Sequence, residues 1–421
     1  MDEAIENKEA TWADCYDAPS SDLFEKVRDF ADYAAGIRRE GHDFFRRTVY
    51  SPNVNRVLMD DPIAGRKREM IMLGSNSYLG LTNHPRVIHA SIEAAEKYGY
   101  GTGSVSLYSG TTDLHKKLER RLAEFYGCED AILFPTGYAA NVGTIAAIMR
   151  PRDAIVNDLF NHASIYDGCR LSGAKLHTFA HGKMRHLKRV LSNAVGDGHG
   201  TMVITDGVFS MEGDLAKLDE ILPLAAEFGA RVMVDDSHAL GVMGPTGRGT
   251  AEHFGLQGKV DITIATLSKA LGGIGGCAVG SAQVVDYLRF YARPYFFSGS
   301  VPTPIVAGAL EILDMIQTQP KIREDLWDSV KYIKAGLTDL GFDIGNSASA
   351  IIPVIVGDEP KLKAFLKDLL DAGIFMNYVA FPAVPRSRCR LRMSVMAGHT
   401  RTDLDYVLAT MASLGRKYEI I

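Results

Sequence analysis

Lys269 sits among small and apolar residues in Thr266-Leu267-Ser268-Lys269-Ala270-Leu271-Gly272-Gly273, directly after a β-branched run that ends at Ala265. Desolvation lowers the pKa of an amine and makes it a usable nucleophile. A surface turn after a strand has the same Ser-Lys dipeptide, so the lysine alone decides nothing. Arg231-Val232-Met233-Val234-Asp235-Asp236-Ser237-His238 adds a strand whose carboxyl end delivers two acids and an imidazole into loops of the same kind. A buried aspartate needs a cationic partner to stay ionised. A protonated pyridine nitrogen is such a partner, and pyridoxal phosphate enzymes use this pairing to keep their electron sink active. Asp235 is the candidate for that role; a magnesium site, or a helix cap with a solvated neighbour, accounts for the acid pair as well.

Phe134-Pro135-Thr136-Gly137-Tyr138-Ala139-Ala140-Asn141 reads as a strand, a glycine turn and a helix start. The backbone N–H groups of such a start bind phosphate, and Thr266 and Ser268 add hydroxyl donors from the lysine segment. Steric need alone also places glycine before a helix. In Asn161-His162-Ala163-Ser164-Ile165-Tyr166-Asp167-Gly168, His162 falls in the same layer, where a flat ring stacks on a flat heterocycle. A histidine satisfied within its loop is the plainer alternative, and it is the one adopted for His115, His181 and His399 taken singly. Arg390-Leu391-Arg392-Met393-Ser394 alternates as a strand does, so Arg390 and Arg392 share a face. A guanidinium there grips a carboxylate bidentately, or is simply solvated.

These segments need a frame that brings them to one place. Short β-branched runs at 131–134, 154–156, 202–205, 231–234, 262–265 and 277–279 alternate with helical stretches, the rhythm of a mostly parallel sheet in an α/β fold. Ligands of such sheets bind beyond the carboxyl ends of the strands, where Lys269, Asp235 and His162 all fall. After about residue 300, helices surround two strand candidates, 350–356 and 390–395, which predicts a smaller C-terminal α+β lobe. The expected division is an N-terminal helical segment at 1–70, a large domain at 71–300 and the small domain at 301–421. In the first, 21–47 carries Leu23, Phe24, Val27, Phe30, Ala31, Ala34 and Ile37 at the spacing of an amphipathic helix, with Ser21 or Asp22 to cap it.

The 421 residues are 46% hydrophobic and 23% charged, an ordinary globular mixture. Lys plus Arg number 46 against 51 Asp plus Glu, a net charge of −5, which argues against nucleic acid as a partner. No window holds the roughly 18 consecutive apolar residues of a membrane span. The acidic, polar N-terminus has neither a secretory nor a mitochondrial pattern, so a cytoplasmic location is expected. The cysteines at 15, 128, 169, 277 and 389 form no Cys-x-x-Cys pair and no zinc spacing, so reduced thiols and no metal are expected.

In order and spacing, Asn161-His162-Ala163-Ser164, Asp206-Gly207-Val208-Phe209-Ser210-Met211, Val234-Asp235-Asp236-Ser237-His238 and Thr266-Leu267-Ser268-Lys269 resemble the motif series of the α-oxoamine synthases. The likeness continues through Asn76-Ser77-Tyr78-Leu79-Gly80-Leu81, Arg293-Pro294-Tyr295 and Ala397-Gly398-His399-Thr400. It implies the aspartate aminotransferase-type fold (fold type I), pyridoxal 5′-phosphate as cofactor, and a homodimer with active sites at the subunit interface. By motif position, Lys269 would form the internal aldimine, Asp235 would pair with the pyridinium, His162 would stack on the ring and His238 would bond the ring hydroxyl. Gly137, Tyr138, Thr266 and Ser268 would surround the phosphate, and Ser298, in Phe297-Ser298-Gly299-Ser300, would reach the phosphate of the neighbouring subunit. Arg392 would bind the amino-acid carboxylate, with Asn76 and His115 as further substrate contacts. The implied reaction is a decarboxylating Claisen condensation of an amino acid with an acyl thioester of coenzyme A or a carrier protein.

Residues 158–168 and 234–249 are similar to both bacterial serine palmitoyltransferase and aminoketobutyrate ligase. The expected reaction is of the serine palmitoyltransferase kind, with short acyl transfer to glycine or alanine, as in glycine C-acetyltransferase, as the alternative. Ser106 stands where many members carry an arginine, which fits a less anionic or longer acyl group; Ala380 stands where one bacterial serine palmitoyltransferase type has an extra arginine. The N-terminal helix offers a face for dimerisation, peripheral membrane contact or a lipid, packing on the protein itself being the plainer expectation. A non-catalytic partner subunit of such an enzyme is a different class of reading, and Lys269 argues against it. A dinucleotide-dependent dehydrogenase is another, suggested by Gly272-Gly273-Ile274-Gly275-Gly276, but those glycines precede a strand-like run rather than a helix.

Overall fold

Strands Ala154–Asp158, Thr201–Asp206 and Ile262–Thr266 are buried at every position, as strands covered by helices on both faces must be. They belong to a seven-stranded sheet in the order Asp130–Phe134, Gly276–Gly280, Ile262–Thr266, Arg231–Asp235, Thr201–Asp206, Ala154–Asp158, Lys175–Phe179. Gly276–Gly280 runs antiparallel to both neighbours and the other adjacent pairs are parallel. Alternation along the strands sorts their side chains between two cores. Ile155, Ile204, Met233 and Ile264 lie in one, and Val156, Val203, Val232 and Val234 in the other. The computed structural model describes residues 14–16, 21–61, 65–195 and 199–421.

All six strands expected for this sheet form. The seventh, Lys175–Phe179, lies at the sheet's edge with two exposed and two half-buried positions, too polar a run to stand out as a strand. The C-terminal lobe holds an antiparallel sheet of Ile351–Ile355, Arg390–Ser394 and Asn377–Val379. The first 70 residues are not helical throughout. Arg56–Asp61 and Arg66–Met72 form a hairpin, and Ile374–Phe375 adds to it in parallel, so this part of the chain packs with the C-terminal lobe.

The N-terminal helix is shorter than the apolar spacing suggested, Glu25–Arg39, and Phe24 at its N-cap makes no side-chain cap. Asp22 accepts the Phe24 N–H at 2.9 Å and pairs with Arg28 at 2.7 Å instead. No residue of the helix is fully buried: Leu23 and Phe24 before it and Val27 and Phe30 in its first half are exposed, while Tyr33 to Ile37 in its second half are half-buried, with Tyr33 close to Tyr378. No described helix is long and apolar enough to cross a membrane.

Two features fix the sheet's carboxyl edge, where the strands open into loops. Asn161 donates to Asn157 Oδ1 at 2.7 Å and to the Ile204 carbonyl at 2.8 Å, while its own Oδ1 accepts the Asp206 N–H at 2.8 Å. This takes over where the ladder between the two strands ends, at Asn157 and Ile204. The lobes join through residues 73–80: Leu73 bonds Phe375 and Ser394, and Tyr78 accepts from the Ala397 N–H.

Asn161→Ala leaves the Asp206 N–H without its acceptor and removes a donor from the Ile204 carbonyl inside the protein. It is expected to cost about 2–4 kcal/mol, read as a lower urea midpoint at unchanged m-value in cofactor-free protein. An unchanged midpoint contradicts this account of the sheet edge.

Candidate active site

A cavity of about 330 Å³ opens at the carboxyl edge of the sheet. Lys269, Asp235, His162, His238, Gly137, Tyr138, Thr266 and Ser268, all singled out from the sequence, line it together. The Lys269 amine is held down at about 8. Burial is the main cause; Asp235 and Asp206 oppose it, and Arg392 adds to it. This amine is therefore neutral over much of the range in which an ordinary lysine is charged.

Asp235 is pinned by the Asn141 side-chain amide, which donates to Oδ2 at 2.6 Å, and by the Ser237 N–H, which donates to Oδ1 at 2.9 Å. Strand geometry turns Asp236 the other way. Its carboxylate accepts from the N–H and hydroxyl of Thr250, the latter at 2.5 Å, at the start of helix Thr250–His253. Of the two acids, only Asp235 faces the cavity.

Helix Gly137–Ile148 begins at the cavity wall. Thr136 caps the Ala139 N–H at 2.9 Å, so the helix presents the N–H groups of Gly137 and Tyr138 to a ligand. The Thr266 and Ser268 hydroxyls lie 2.8 Å apart beside them. Glycine is required for this approach: a Cβ at Gly276 would stand 2.6 Å from Gly137 Cα and from the Thr136 carbonyl oxygen, and a Cβ at Gly137 would stand 2.7 Å from Thr266 Cβ.

His162 caps helix Ala163–Ser172, its Nδ1 2.7 Å from the Ser164 hydroxyl. Burial lowers its pKa, which favours the neutral ring, and the residue lines the cavity. His238 is pushed far down, by burial first and then by Lys269 and Arg392, and its Nδ1 lies 2.7 Å from the Tyr78 hydroxyl. The Tyr78 phenol is itself raised to about 12 by burial, so it is the proton donor of that pair.

Arg392 donates to Asn76 Oδ1 at 3.1 Å, to the Ser394 hydroxyl at 3.0 Å and, through Nε, to the Ser210 carbonyl. Asn76 and Arg392 are thus one unit at the lobe junction. Arg390, on the same strand face, is fully buried and committed to Glu212 at 2.7 Å and to the Met211 carbonyl at 3.0 Å.

Asn76 and Arg392 meet the cavity's edge at Ser210 without being among its lining residues, and three further positions lie away from both. His115 has its Nδ1 2.9 Å from the Thr112 hydroxyl and its Nε2 2.7 Å from the Val301 carbonyl, so it caps helix Asp113–Tyr126 rather than facing the cavity. Ser298 is half-buried, outside the cavity lining of its own chain. Ser106 lines a separate cleft with Glu119, Arg120 and Arg289.

Sequence reasoning passed over Asn141, Asp206 and Tyr78. Asn141 left a signal: with Thr144, it is one of two polar side chains buried on an otherwise small and apolar helix. Asp206 and Tyr78 stood inside quoted motifs, with nothing in their spacing to mark them. Asn141 Oδ1 and Asp206 Oδ1 are buried in the cavity wall without a hydrogen-bond partner, which suits a polar ligand. An acid for a ring cation, a helix start with two hydroxyls for a phosphate and a neutral amine for an aldehyde together fit pyridoxal phosphate.

Residues 68–411 match the aminotransferase class I and II family. The chain is 41% identical over 392 residues to the 4-hydroxy-2,2′-bipyrrole-5-methanol synthase of a Serratia species, an alignment that takes in 93% of this chain and 60% of that longer protein. It is 43% identical to the 8-amino-7-oxononanoate synthase of Thermoanaerobacter pseudethanolicus, over 88% of this chain and 92% of that protein. Among solved structures, Sphingomonas wittichii serine palmitoyltransferase superposes with a TM-score of 0.89 at 34% identity, over 95% of this chain and all of the other. A serine palmitoyltransferase from S. paucimobilis bound to a pyridoxal phosphate–myriocin aldimine gives 0.90 at 33%, with the same coverage. The fold is therefore that of the fold type I pyridoxal phosphate transferases. The chain belongs to the class I and II aminotransferase family and, within it, to the α-oxoamine synthases, pyridoxal phosphate-dependent enzymes of the acyltransferase type.

Lys269 is depressed in the fold, so the fraction of neutral amine rises as pH rises through about 8. The rate at which cofactor-stripped protein takes up pyridoxal phosphate, followed by absorbance, is expected to climb through that pH and level off above it. A rate that rises only above roughly pH 10, the range of an ordinary lysine, rejects the assignment of Lys269 as the depressed amine.

Proposed function

We propose that the protein joins a small α-amino acid to an acyl thioester, with loss of carbon dioxide, to give an aminoketone. The observation that carries this reading is a half-buried, depressed amine at Lys269 in one cavity with an aspartate, Asp235, held in place by Asn141. Pyridoxal phosphate, once bound, supplies the electron sink for negative charge developing at the amino acid's Cα. Asp235 holds the cationic ring nitrogen in its protonated form, and Asn141 fixes the carboxylate's direction. Lys269 removes and returns the Cα proton at Nζ, which its lowered basicity allows near neutral pH. His162 covers one ring face and His238, kept neutral, bonds the ring hydroxyl. Gly137, Tyr138, Thr266 and Ser268 hold the phosphate. Arg392, with Asn76, receives the amino-acid carboxylate, and Ser298, lying outside its own cavity, serves the site of a second copy in a homodimer.

A cavity of about 330 Å³ lies at the lower end of ligand pockets, roughly 300–1,000 Å³. With the cofactor in place, little room is left for an amino-acid side chain, which favours glycine, alanine or serine. Likeness to serine palmitoyltransferases over 95% of the chain supports serine with a long acyl thioester. The higher identity, 43%, to 8-amino-7-oxononanoate synthase supports a second reading, in which the amino acid and acyl group differ from those of a serine palmitoyltransferase.

The test is thiol and carbon dioxide release with glycine, alanine and serine, each crossed with acetyl, medium-chain and palmitoyl thioesters. At least one small amino acid should turn over, and silence across the whole grid, with coenzyme A and carrier-protein donors alike, sinks the proposal. Lys269→Ala should lower kcat by about 10³-fold or more while the folded protein still binds the cofactor noncovalently; near-normal turnover removes Lys269 from the chemistry.

A further inference from the structure

His181 lies outside the cavity, yet both of its ring nitrogens meet carboxylates. Nδ1 is 3.0 Å from Asp158 Oδ1 and Nε2 is 2.9 Å from Asp214 Oδ2. Ionised carboxylates only accept, so both nitrogens carry hydrogen and the ring is an imidazolium. Phe160 stacks on it at 4.5 Å and 17°, and Phe209 meets it edge-on at 4.3 Å. Burial alone would pull its pKa down, but the two carboxylates outweigh burial and raise it to about 9. The bridge joins two loops. Asp158 opens the one that leads to His162, and Asp214 closes the one that runs from Phe209 through Ser210, Met211 and Glu212.

These loops are held differently. The first is tied to the sheet by the three hydrogen bonds of Asn161. The second is gripped from the C-terminal lobe: its Ser210 carbonyl accepts from Arg392, Met211 and Glu212 bind Arg390, and the Gly213 carbonyl accepts from the Ala348 N–H and the Ser349 hydroxyl. His181 thus anchors to the large lobe the loop on which Arg392 rests.

We propose that His181 is a positioning residue for amino-acid recognition, its bridge between Asp158 and Asp214 setting where Arg392 stands relative to the cavity. The inference rests on the reading of Arg392 as the carboxylate-binding group. Loss of the bridge shifts the Ser210 loop and with it the guanidinium, while Asp235, Lys269 and the phosphate loop, built on other strands, keep their places. The effect therefore falls on amino-acid affinity and spares cofactor and acyl thioester.

The experiment measures L-serine and L-alanine dissociation constants of the loaded enzyme by absorbance titration, with cofactor retention and thermal unfolding in parallel. His181→Gln should weaken amino-acid binding about tenfold, the scale of one charge-assisted hydrogen bond, with cofactor retention and acyl thioester KM within about twofold of the parent. Asp214→Asn, which keeps the ring, should weaken it in the same direction. In the double variant the introduced glutamine donates its amide to Asp158 while its carbonyl accepts from the amide of the introduced asparagine, so affinity should recover. Unchanged amino-acid affinity in both single variants, equal losses for amino acid and cofactor, or a double variant no better than His181→Gln overturns the inference. Arg392→Gln separates the two levels: normal amino-acid binding there removes the carboxylate reading itself, whereas a loss there with normal binding in His181→Gln removes only the role of His181.

Discussion

The site depends on an amine deprived of much of the solvation an ammonium ion needs. Water would keep Lys269 charged; the protein instead leaves it half-buried and poorly solvated, and sets two carboxyl groups, Asp235 and Asp206, near enough to offset part of that cost. The balance leaves the amine at about 8, a basicity useful for proton transfer near neutrality. Moving Lys269 to the surface would restore its charge. Removing the acids would depress it further.

That balance requires several strand ends to stop at one level, and the parallel sheet provides it. Asp206 and Asp235 are register partners on adjacent strands, and Thr266 ends the next strand, two residues before Ser268 and three before Lys269. The antiparallel strand Gly276–Gly280 then brings the Gly276 backbone against that of Gly137, so that the helix start lies against this strand and against the Thr266 side chain. Any side chain at either glycine would push the phosphate-facing groups away from the amine. The cavity wall is assembled from the ends of buried strands, with Asn161 and Asn141 tying the loops between them.

The other half of the site comes from the second lobe, and its attachment is of another kind. Arg390 and Arg392 project from a short antiparallel strand and meet the large lobe through carbonyls of the Ser210–Gly213 segment, the Glu212 carboxylate and the Asn76 side chain. Polar contacts of this sort specify direction more sharply than apolar packing does. On the proposed reading of Arg392, they suit a junction that aims a guanidinium at the amino acid. On the inference drawn above, that aim depends also on His181, which is not among the residues lining the cavity.

Much of this was legible in the chain. The βαβ rhythm, the strand-end positions of Asp235 and Lys269, the helix start at Gly137 and the motif series were all local patterns, and local patterns are set by hydrophobic period and turn chemistry. Which acid of the Asp235–Asp236 pair faces the cavity, which arginine of the strand pairs with Asn76, and that His115 serves a helix cap were decided only by the tertiary structure. So were the edge strand Lys175–Phe179 and the hairpin that sends residues 56–72 to the C-terminal lobe. The reason is physical. Periodicity encodes how much of a segment is buried. A side chain's partner across the fold depends on register and loop path, which become definite only when distant strands stop at the same height and their ends come within hydrogen-bonding reach.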